Sequence, residues 1–185
     1  MAQRSPIRRL LSAALMVAVI GAIVWSIRPD RGGPKVGSVA PPIEVETLAG
    51  APFSLAAQTG KVVVLDFWAT WCPPCQKSLP ALQALHARYA ADDRVIIASV
   101  NTDFGANRVA LLKQFMAQRQ FNFPVLLEDR RKVLSMTYDV RSIPTLVVID
   151  GTGKVRHVQV GIPSNDPEEI ARHVDGRIHA VLDDT

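Results

Sequence analysis

The amino-acid sequence predicts an α/β domain with a mixed central sheet flanked by helices, preceded by one N-terminal transmembrane helix. Within the domain, apolar runs of strand length alternate with stretches of helical periodicity. Near its end, two strand-like runs flank Asp150-Gly151-Thr152-Gly153, a sequence typical of a hairpin, which adds antiparallel pairing to the sheet. Before the domain stands an apolar run of 18 residues without a charge, from Leu10 to Ile27.

The apolar run is long enough to be a membrane anchor. As a helix it would measure about 27 Å, which is sufficient to cross a hydrocarbon core. Three arginines precede it and predict a cytoplasmic N-terminus. A cleaved signal peptide is the alternative, but the run exceeds the usual apolar segment and no clear Ala-x-Ala site follows. We therefore expect a cytoplasmic segment at 1–9, an anchor at 10–27, a linker at 28–36 and an extracytoplasmic domain at 37–185.

The charge of the chain is concentrated in its N-terminal tail. The formal net charge is +4, but the first 35 residues contain six basic residues and one acidic residue. The remaining 150 residues therefore have a net charge of −1. Without an overall basic field, the domain is not expected to bind nucleic acid.

The elements of the domain follow from local patterns. The run Val62-Val63-Val64-Leu65 predicts a strand that is buried on both faces. The last helix has Asp166 as its predicted N-cap, Pro167 as its first residue and Glu169 as the acid of a capping box. Strands are expected at 43–47, 61–68, 94–100, 123–127, 146–149 and 154–160. Helices are expected at 72–89, with a kink at Pro80, and at 109–118, 132–138 and from 167 onward.

The two cysteines of the chain, Cys72 and Cys75, are the predicted reactive groups. Cys72 follows a predicted strand and opens a predicted helix, where unpaired N–H groups and the helix dipole favour a thiolate. Cys75 lies one turn further on, within reach of a mixed disulfide formed at Cys72. A buried pair or part of a metal site is the alternative interpretation. The strand-to-helix context favours redox chemistry, with Cys72 as nucleophile and Cys75 as resolving thiol.

Asp66 is the one acidic residue in the predicted strand at 61–68, which is otherwise mainly apolar. A carboxylate on a buried strand is costly, and a raised pKa would suit it to proton transfer. The alternative is a solvated or hydrogen-bonded side chain without a catalytic role. Trp68 shares its sheet face by even spacing and is interpreted as a core residue.

The segment that contains both cysteines resembles a known active site. Val64–Cys75 reads Val-Leu-Asp-Phe-Trp-Ala-Thr-Trp-Cys-Pro-Pro-Cys and is similar to the active-site segment of the thioredoxin superfamily, especially its anchored extracytoplasmic TlpA and ResA branch. The resemblance covers about residues 37–180 and implies a thioredoxin-like fold. It also implies a cis bond before Pro144 and a substrate-binding surface formed by Trp71, Pro73, Pro74, Ile143 and Pro144.

Three residues depart from the family pattern. Ser78 stands where many TlpA and ResA relatives have an acidic residue. Asp66 matches the buried acid of classical thioredoxins, where many relatives have Asn. Ser99 occupies the strand position of the lysine that accompanies this acid in thioredoxin. The resemblance therefore implies that Asp66 acts without a neighbouring cation and is the acid nearest to the cysteines.

The expected function is reduction of disulfides in extracytoplasmic client proteins. The resemblance suggests the haem-attachment cysteines of apocytochrome c or the copper-site cysteines of oxidases as clients, and a membrane protein as the thiol-reducing electron donor. It also implies a monomer at a bacterial inner membrane with its domain in the periplasm, without cofactor or metal. The alternatives are net disulfide oxidation or isomerisation, and a Sco-like copper metallochaperone, although the latter uses a wider cysteine spacing with a downstream histidine.

Removal of residues 1–35 should leave a soluble domain that still exchanges disulfides, because the cysteines and all predicted strands lie beyond the cut. A compartment-specific reporter fused after Thr185 of the full chain should be active outside the cytoplasm. Reporter activity in the cytoplasm would contradict the orientation inferred from the N-terminal arginines.

Overall fold

The computed structural model describes residue 16, residues 35–129 and residues 133–184. The predicted anchor at 10–27 therefore lies outside the described residues, apart from residue 16. The chain divides into two units, residues 1–32 and 33–185, and the architecture below is that of the second unit. Within the described part of the chain, no helix is both long and apolar enough to cross a membrane.

The second unit contains seven strands and four α-helices among its described residues. The strands are β1 Glu44–Glu46, β2 Pro52–Ser54, β3 Val62–Trp68, β4 Val95–Asn101, β5 Val125–Leu127, β6 Thr145–Ile149 and β7 Val155–Val160. The helices are α1 Pro73–Arg88, α2 Arg108–Arg119, α3 Val133–Thr137 and α4 Pro167–Asp183, with a 3-10 turn at Ala56–Gln58. Each predicted strand and helix has a counterpart here. The prediction missed β2 and the 3-10 turn, which at three residues each are too short to show a period.

The main sheet is mixed, as the sequence predicts. Its strand order is β5-β4-β3-β6-β7, and β1 and β2 form a separate antiparallel pair. Strand β4 lies parallel to both β3 and β5, whereas β6 is antiparallel to both β3 and β7. Helices cover both faces, so the α/β architecture expected from the alternation of patterns is confirmed.

Strand β3 lies at the centre of the sheet, and all seven of its residues are buried. Because side chains alternate along a strand, its residues divide between two apolar clusters. Val62, Val64 and Trp68 pack in the cluster that contains the buried sides of α1, α2 and α4. Val63, Leu65 and Phe67 pack in the cluster of the opposite face. Trp68 is therefore a core residue, as predicted.

Helix α4 begins where the sequence predicts, but its capping differs. Asp166 is the N-cap, and its carboxylate accepts a hydrogen bond from Glu168 N at 2.9 Å, with Pro167 in the first turn. The predicted capping-box bond from the Asp166 N–H to Glu169 is wrong. The Asp166 N–H donates to Ser164 Oγ instead, and the Ser164 hydroxyl donates to Glu169 Oε2. Ser164 lies closer along the chain and takes the donor that the box assigns to Glu169.

The first described residues of the unit bond to the β6–β7 turn, at the end of the sheet where β3 begins. Gly37 N donates to Val155 O at 2.7 Å, and Ala40 N donates to Gly153 O at 2.8 Å. The neighbouring β6–β7 turn is organised by Asp150, whose Oδ1 accepts hydrogen bonds from Thr152 N, Thr152 Oγ1 and Lys154 N. Ile149 pairs with Val63 near the start of β3, which assigns this turn to the edge remote from the cysteines.

The same turn packs against Gly60, two residues before β3. Gly60 N donates to Gly151 O at 2.8 Å, and a Cβ built on Gly151 would lie 2.9 Å from the Gly60 carbonyl carbon. Such a clash against backbone cannot be relieved by a side-chain rotation. Gly151→Ala should therefore lower the free energy of unfolding by about 1–3 kcal/mol in urea titrations.

Gly176→Ala is the matched control for Gly151→Ala. Gly176 lies within α4, and an added Cβ there would meet no atom within 4 Å. Since alanine favours a helix interior over glycine, this variant should gain about 0.5–1 kcal/mol. If Gly151→Ala were as stable as the unsubstituted domain, the close approach of the two turns would not be a packing constraint.

Candidate active site

The two cysteines form a disulfide at the start of α1. The S–S distance is 2.05 Å, and Cys72 is the N-cap of the helix. Cys72 Sγ accepts a hydrogen bond from Cys75 N at 3.2 Å, so the sulfur already contacts an N–H of the first turn. Pro73 and Pro74 occupy the first two helical positions, where a residue without an N–H loses no helical hydrogen bond. The predicted helix start is confirmed, and the helix continues past Pro80 to Arg88.

Both cysteines of the disulfide are buried, next to an exposed aromatic side chain. Cys75 is fully buried and Cys72 is 3% exposed, whereas the neighbouring Trp71 is 60% exposed. Cys72 Sγ lies 3.7 Å from the carbonyl oxygen of Ile143. This is a contact rather than a hydrogen bond, because a disulfide sulfur has no proton to donate. The loop before β6 thus reaches the sulfur of Cys72.

The loop before β6, which the resemblance assigns to substrate binding together with Trp71, Pro73 and Pro74, reaches Cys72 through the Ile143 carbonyl. The Ile143–Pro144 peptide bond is cis, as expected. Pro73 and Pro74 are exposed, Ile143 is half-buried, and Pro144 is buried at the start of β6. Trp71 is the chain neighbour of Cys72, and the Ile143 carbonyl lies 3.7 Å from the Cys72 sulfur. Exposed Trp71 and half-buried Ile143 therefore offer apolar surface near Cys72.

Asp66 lies within β3 as a buried and poorly satisfied carboxyl group. It is 3% exposed, and within the described part of the chain its Oδ2 has no hydrogen-bond partner. Burial raises the pKa of Asp66 to about 8 from its ordinary value of 3.8, because desolvation penalises the charged form. A carboxyl group with this pKa can both release and accept a proton near neutral pH.

A small cavity connects Asp66 with the active-site helix and the loop before β6. Its volume is about 20 Å³, and its lining includes Asp66, Ser78 and Pro144. This volume is sufficient for one water molecule. The Ser78 hydroxyl in turn donates to the carbonyl oxygen of Cys75 at 2.9 Å. Ser78, which carries no charge, thus joins the cavity to the residue that bears the second sulfur.

The strand position opposite Asp66 carries no charge either. Asp66 pairs with Ser99 on β4 and with Leu146 on β6. Ser99 is fully buried, and its hydroxyl faces the carbonyl oxygen of Pro124 at 3.4 Å. Desolvation is the whole cause of the pKa shift of Asp66, which agrees with the absence of a lysine at position 99.

Sequence reasoning missed a group of polar residues around Thr70, immediately before the cysteine motif. Asp103 accepts a hydrogen bond from the Thr70 N–H, and Gln76 donates one to the Thr70 carbonyl. Asn101 donates to the Asp103 carboxylate. One pattern pointed to this group, since Asn101 ends the strand parallel to β3, Asp103 follows it, and the carboxyl ends of parallel strands share one edge of a sheet.

Comparison with known proteins identifies the family. The AhpC/TSA family model matches residues 36–158. The chain is 32% identical over 158 residues to the thiol–disulfide oxidoreductase ResA of Bacillus cereus, covering 83% of this chain and 88% of ResA. The chain belongs to the AhpC/TSA family. Within it, the chain is a thiol–disulfide oxidoreductase of thioredoxin-like fold.

Two further relatives agree with this assignment to the AhpC/TSA family. The thioredoxin-like protein YneN of Bacillus subtilis is 30% identical over 159 residues, covering 84% of this chain and 91% of YneN. A crystal structure of a protein described as a thiol:disulfide interchange protein DsbE, from Chlorobium tepidum, superposes with a TM-score of 0.67 at 31% identity. It covers 78% of this chain and 99% of its own. The similarity therefore extends through the whole domain rather than only the cysteine motif.

The histidine and carboxylate side chains do not add a metal site to this AhpC/TSA domain. Among residues 35–129 and 133–184, no group of three or more His, Cys, Asp or Glu side chains is arranged to hold a metal ion.

The raised pKa of Asp66 has a consequence for stability. Between pH 4 and pH 8 the folded domain retains a proton that the unfolded chain has lost, so Asp66 lowers the free energy of unfolding progressively as pH rises. The free energy of unfolding falls by up to about 1.4 kcal/mol per pH unit, and it stops falling once the pH exceeds the pKa of Asp66 in the folded domain. Asp66→Asn should therefore be near neutral in stability at pH 4 and stabilising by a few kcal/mol at pH 8, measured by urea unfolding at both values.

Asp150→Asn is the matched control for the pH dependence. Burial raises the pKa of Asp150, but hydrogen bonds from Thr152, Lys154 and Arg156 outweigh it, so the net pKa is lowered. Asp150 is then ionised in both states across pH 4.5–8, and its substitution should cost the same free energy throughout this range. A pH-independent effect of Asp66→Asn would mean that Asp66 is not protonated in the folded domain.

Proposed function

We propose that this thiol–disulfide oxidoreductase reduces disulfides in extracytoplasmic client proteins through the Cys72–Cys75 pair. The observation that carries the proposal is the position of Cys72. Its sulfur caps the first turn of α1, where Cys75 N donates to it, and it contacts the Ile143 carbonyl beside the exposed Trp71. A nucleophile and an apolar docking surface therefore meet at one end of the sheet.

The proposed reaction begins with the reduced dithiol. The Cys72 thiolate attacks one sulfur of a client disulfide, so that the client S–S bond breaks, a Cys72–client S–S bond forms, and the second client sulfur leaves as a thiolate. The hydrogen bond from the Cys75 N–H to Cys72 Sγ and the positive end of the helix dipole stabilise the ionised form of the attacking thiol. One client sulfur is now reduced, and the other remains bound to Cys72 in the mixed disulfide.

Cys75 completes the cycle by attacking Cys72 in the mixed disulfide. Its sulfur loses a proton, the Cys72–client bond breaks, and the Cys72–Cys75 disulfide forms as the client is released with both cysteines reduced. Asp66 is the proposed acceptor of the Cys75 proton, through water in the cavity that Asp66 and Ser78 line. With a pKa of about 8, the minor fraction of Asp66 that is ionised near neutral pH has a basicity close to that of a thiolate and can accept this proton. A membrane-bound dithiol donor would then reduce the disulfide again.

The client is proposed to bind along Trp71, Pro73, Pro74, Ile143 and Pro144. Because the Ile143 carbonyl lies 3.7 Å from Cys72 Sγ, a client segment that follows this loop would pass directly over the sulfur. Pro144 has no N–H and does not compete for the client's acceptors. Main-chain recognition of this kind needs little sequence specificity, which suits clients that are defined by a cysteine pair.

The compartment follows from the N-terminal segment. Residues 10–27 are proposed to anchor the domain on the extracytoplasmic face of a bacterial inner membrane, which agrees with the arginines before the run. Apocytochrome c and copper-site cysteine pairs are the proposed clients, since a dithiol must be delivered reduced to either assembly in an oxidising compartment.

Trapping of mixed disulfides tests these roles. In reduced Cys75→Ser, Cys72 should hold clients covalently, and dithiothreitol should release them for identification by mass spectrometry. Reduced Cys72→Ser is the matched control and should trap far less, because Cys75 is fully buried. In the reduced domain Cys72 should also alkylate faster than Cys75, with an apparent pKa below about 8.5. Equal trapping or equal alkylation would contradict the assignment.

The same assay examines the proton transfer. In Asp66→Asn with both cysteines present, the mixed disulfide should persist longer, because general-base assistance is typically worth ~10²–10⁴-fold. The initial attack by Cys72 should change much less. An unchanged lifetime would remove Asp66 from the mechanism while leaving the cysteine roles intact.

A further inference from the structure

The residue that precedes Trp71 and Cys72 is held by a carboxylate from a neighbouring strand. Thr70 N lies 3.1 Å from Asp103 Oδ1 and 3.3 Å from Oδ2, so its N–H points at the middle of the carboxylate. The two residues are 33 positions apart, which makes this a tertiary contact between the β3–α1 loop and the loop after β4. A backbone hydrogen bond to a charged acceptor is about twice as strong as a neutral one.

Asp103 is itself fixed in place. It is 8% exposed, and its own N–H donates to Asn101 Oδ1 at 3.2 Å. Asn101 Nδ2 donates to Asp103 Oδ2 at 3.1 Å, and Arg108 Nη1 donates to the Asp103 carbonyl at 3.3 Å. Asn101 ends β4 and pairs with Trp68 at the end of β3, so the carboxylate is anchored to the strand beside the active-site strand.

The other polar group of Thr70 is held from α1. Gln76 Nε2 donates to Thr70 O at 2.7 Å, and Gln76 Oε1 accepts from Arg119 of α2 at 3.3 Å. Cys72 N closes the turn by donating to Ala69 O at 3.2 Å. The backbone just before the cysteine motif is therefore held by two side chains from different elements, while Trp71 projects outward.

We infer that Asp103 is a positioning residue for thiol–disulfide exchange, acting through the Thr70 N–H on the orientation of Cys72. The inference rests on the proposed role of Cys72 as nucleophile. With Thr70 held, Cys72 Sγ stays at the Cys75 N–H and beside the Ile143 carbonyl. Without it, the Thr70 N–H loses its side-chain acceptor although Thr102 still bonds the Trp68 carbonyl, so the Cys72 thiolate would spend less time beside the Cys75 N–H that stabilises it.

Two neutral variants separate the hydrogen bond from the charge. Both Asp103→Ala and Asp103→Asn remove a negative charge close to Cys72, which by itself would favour the thiolate. Only the Asn variant retains an oxygen that can accept from Thr70 N. The difference between the two variants therefore reports the hydrogen bond, independently of the charge.

The experiment compares two variants of the full chain, Asp103→Ala and Asp103→Asn, and measures three quantities in each. They are the thiolate titration of Cys72 by absorbance at 240 nm, the rate of attack on a folded protein disulfide, and the urea midpoint. In Asp103→Ala, Cys72 should attack about ten-fold more slowly than in Asp103→Asn and titrate at higher pH, as expected for loss of one neutral hydrogen bond. Equal rates and titrations for the two variants would overturn the inference.

Asp150→Ala is the control for a merely structural effect. Asp150 is also a buried carboxylate that holds a turn, at the opposite edge of the sheet. This variant should lower the urea midpoint without changing the titration or attack rate of Cys72. If it slows attack as much as Asp103→Ala, the effect is global destabilisation and the inference fails. Exchange that survives in Cys72→Ser would instead contradict the proposed function, whatever the Asp103 variants do.

Discussion

Strand β3 is buried on both faces along its whole length, and the site depends on this burial. The strand must end where the sheet ends, so the chain turns there and starts α1 with Cys72 as the N-cap. The same burial desolvates Asp66, the one carboxyl group on the strand. The position of Cys72 just beyond the strand and the raised pKa of Asp66 within it thus both result from the central position of β3 in the sheet.

Three buried aspartates of this domain differ in the hydrogen-bond donors around them. Asp150 and Asp103 each accept hydrogen bonds from backbone N–H groups and organise a turn. Asp66 lies inside a strand, where the backbone N–H groups already pair with neighbouring strands, and its Oδ2 has no partner among the described residues. The donors to Asp150 outweigh its desolvation and lower its pKa, whereas desolvation raises the pKa of Asp66.

Local patterns were sufficient to predict most of the fold and part of the site. The apolar run of β3, the prolines after Cys72 and the hairpin at Asp150 are all features of consecutive residues. The capping of α4 was predicted wrongly because Ser164 competes for the same N–H, which no propensity reveals. The contact from Asp103 to Thr70 was missed for a different reason. It depends on β4 lying beside β3, and the pairing of strands is a property of the whole sheet.

The N-terminal end of the described domain has a geometric consequence for how its sulfurs are presented. Gly37 and Ala40 are held beside the β6–β7 turn, whereas Cys72 lies beyond the other end of β3. Seven residues of strand separate these edges by roughly 20 Å. The first described residues and the sulfurs therefore lie at opposite ends of β3, so the contacts that hold Gly37 and Ala40 are separate from those that hold Cys72.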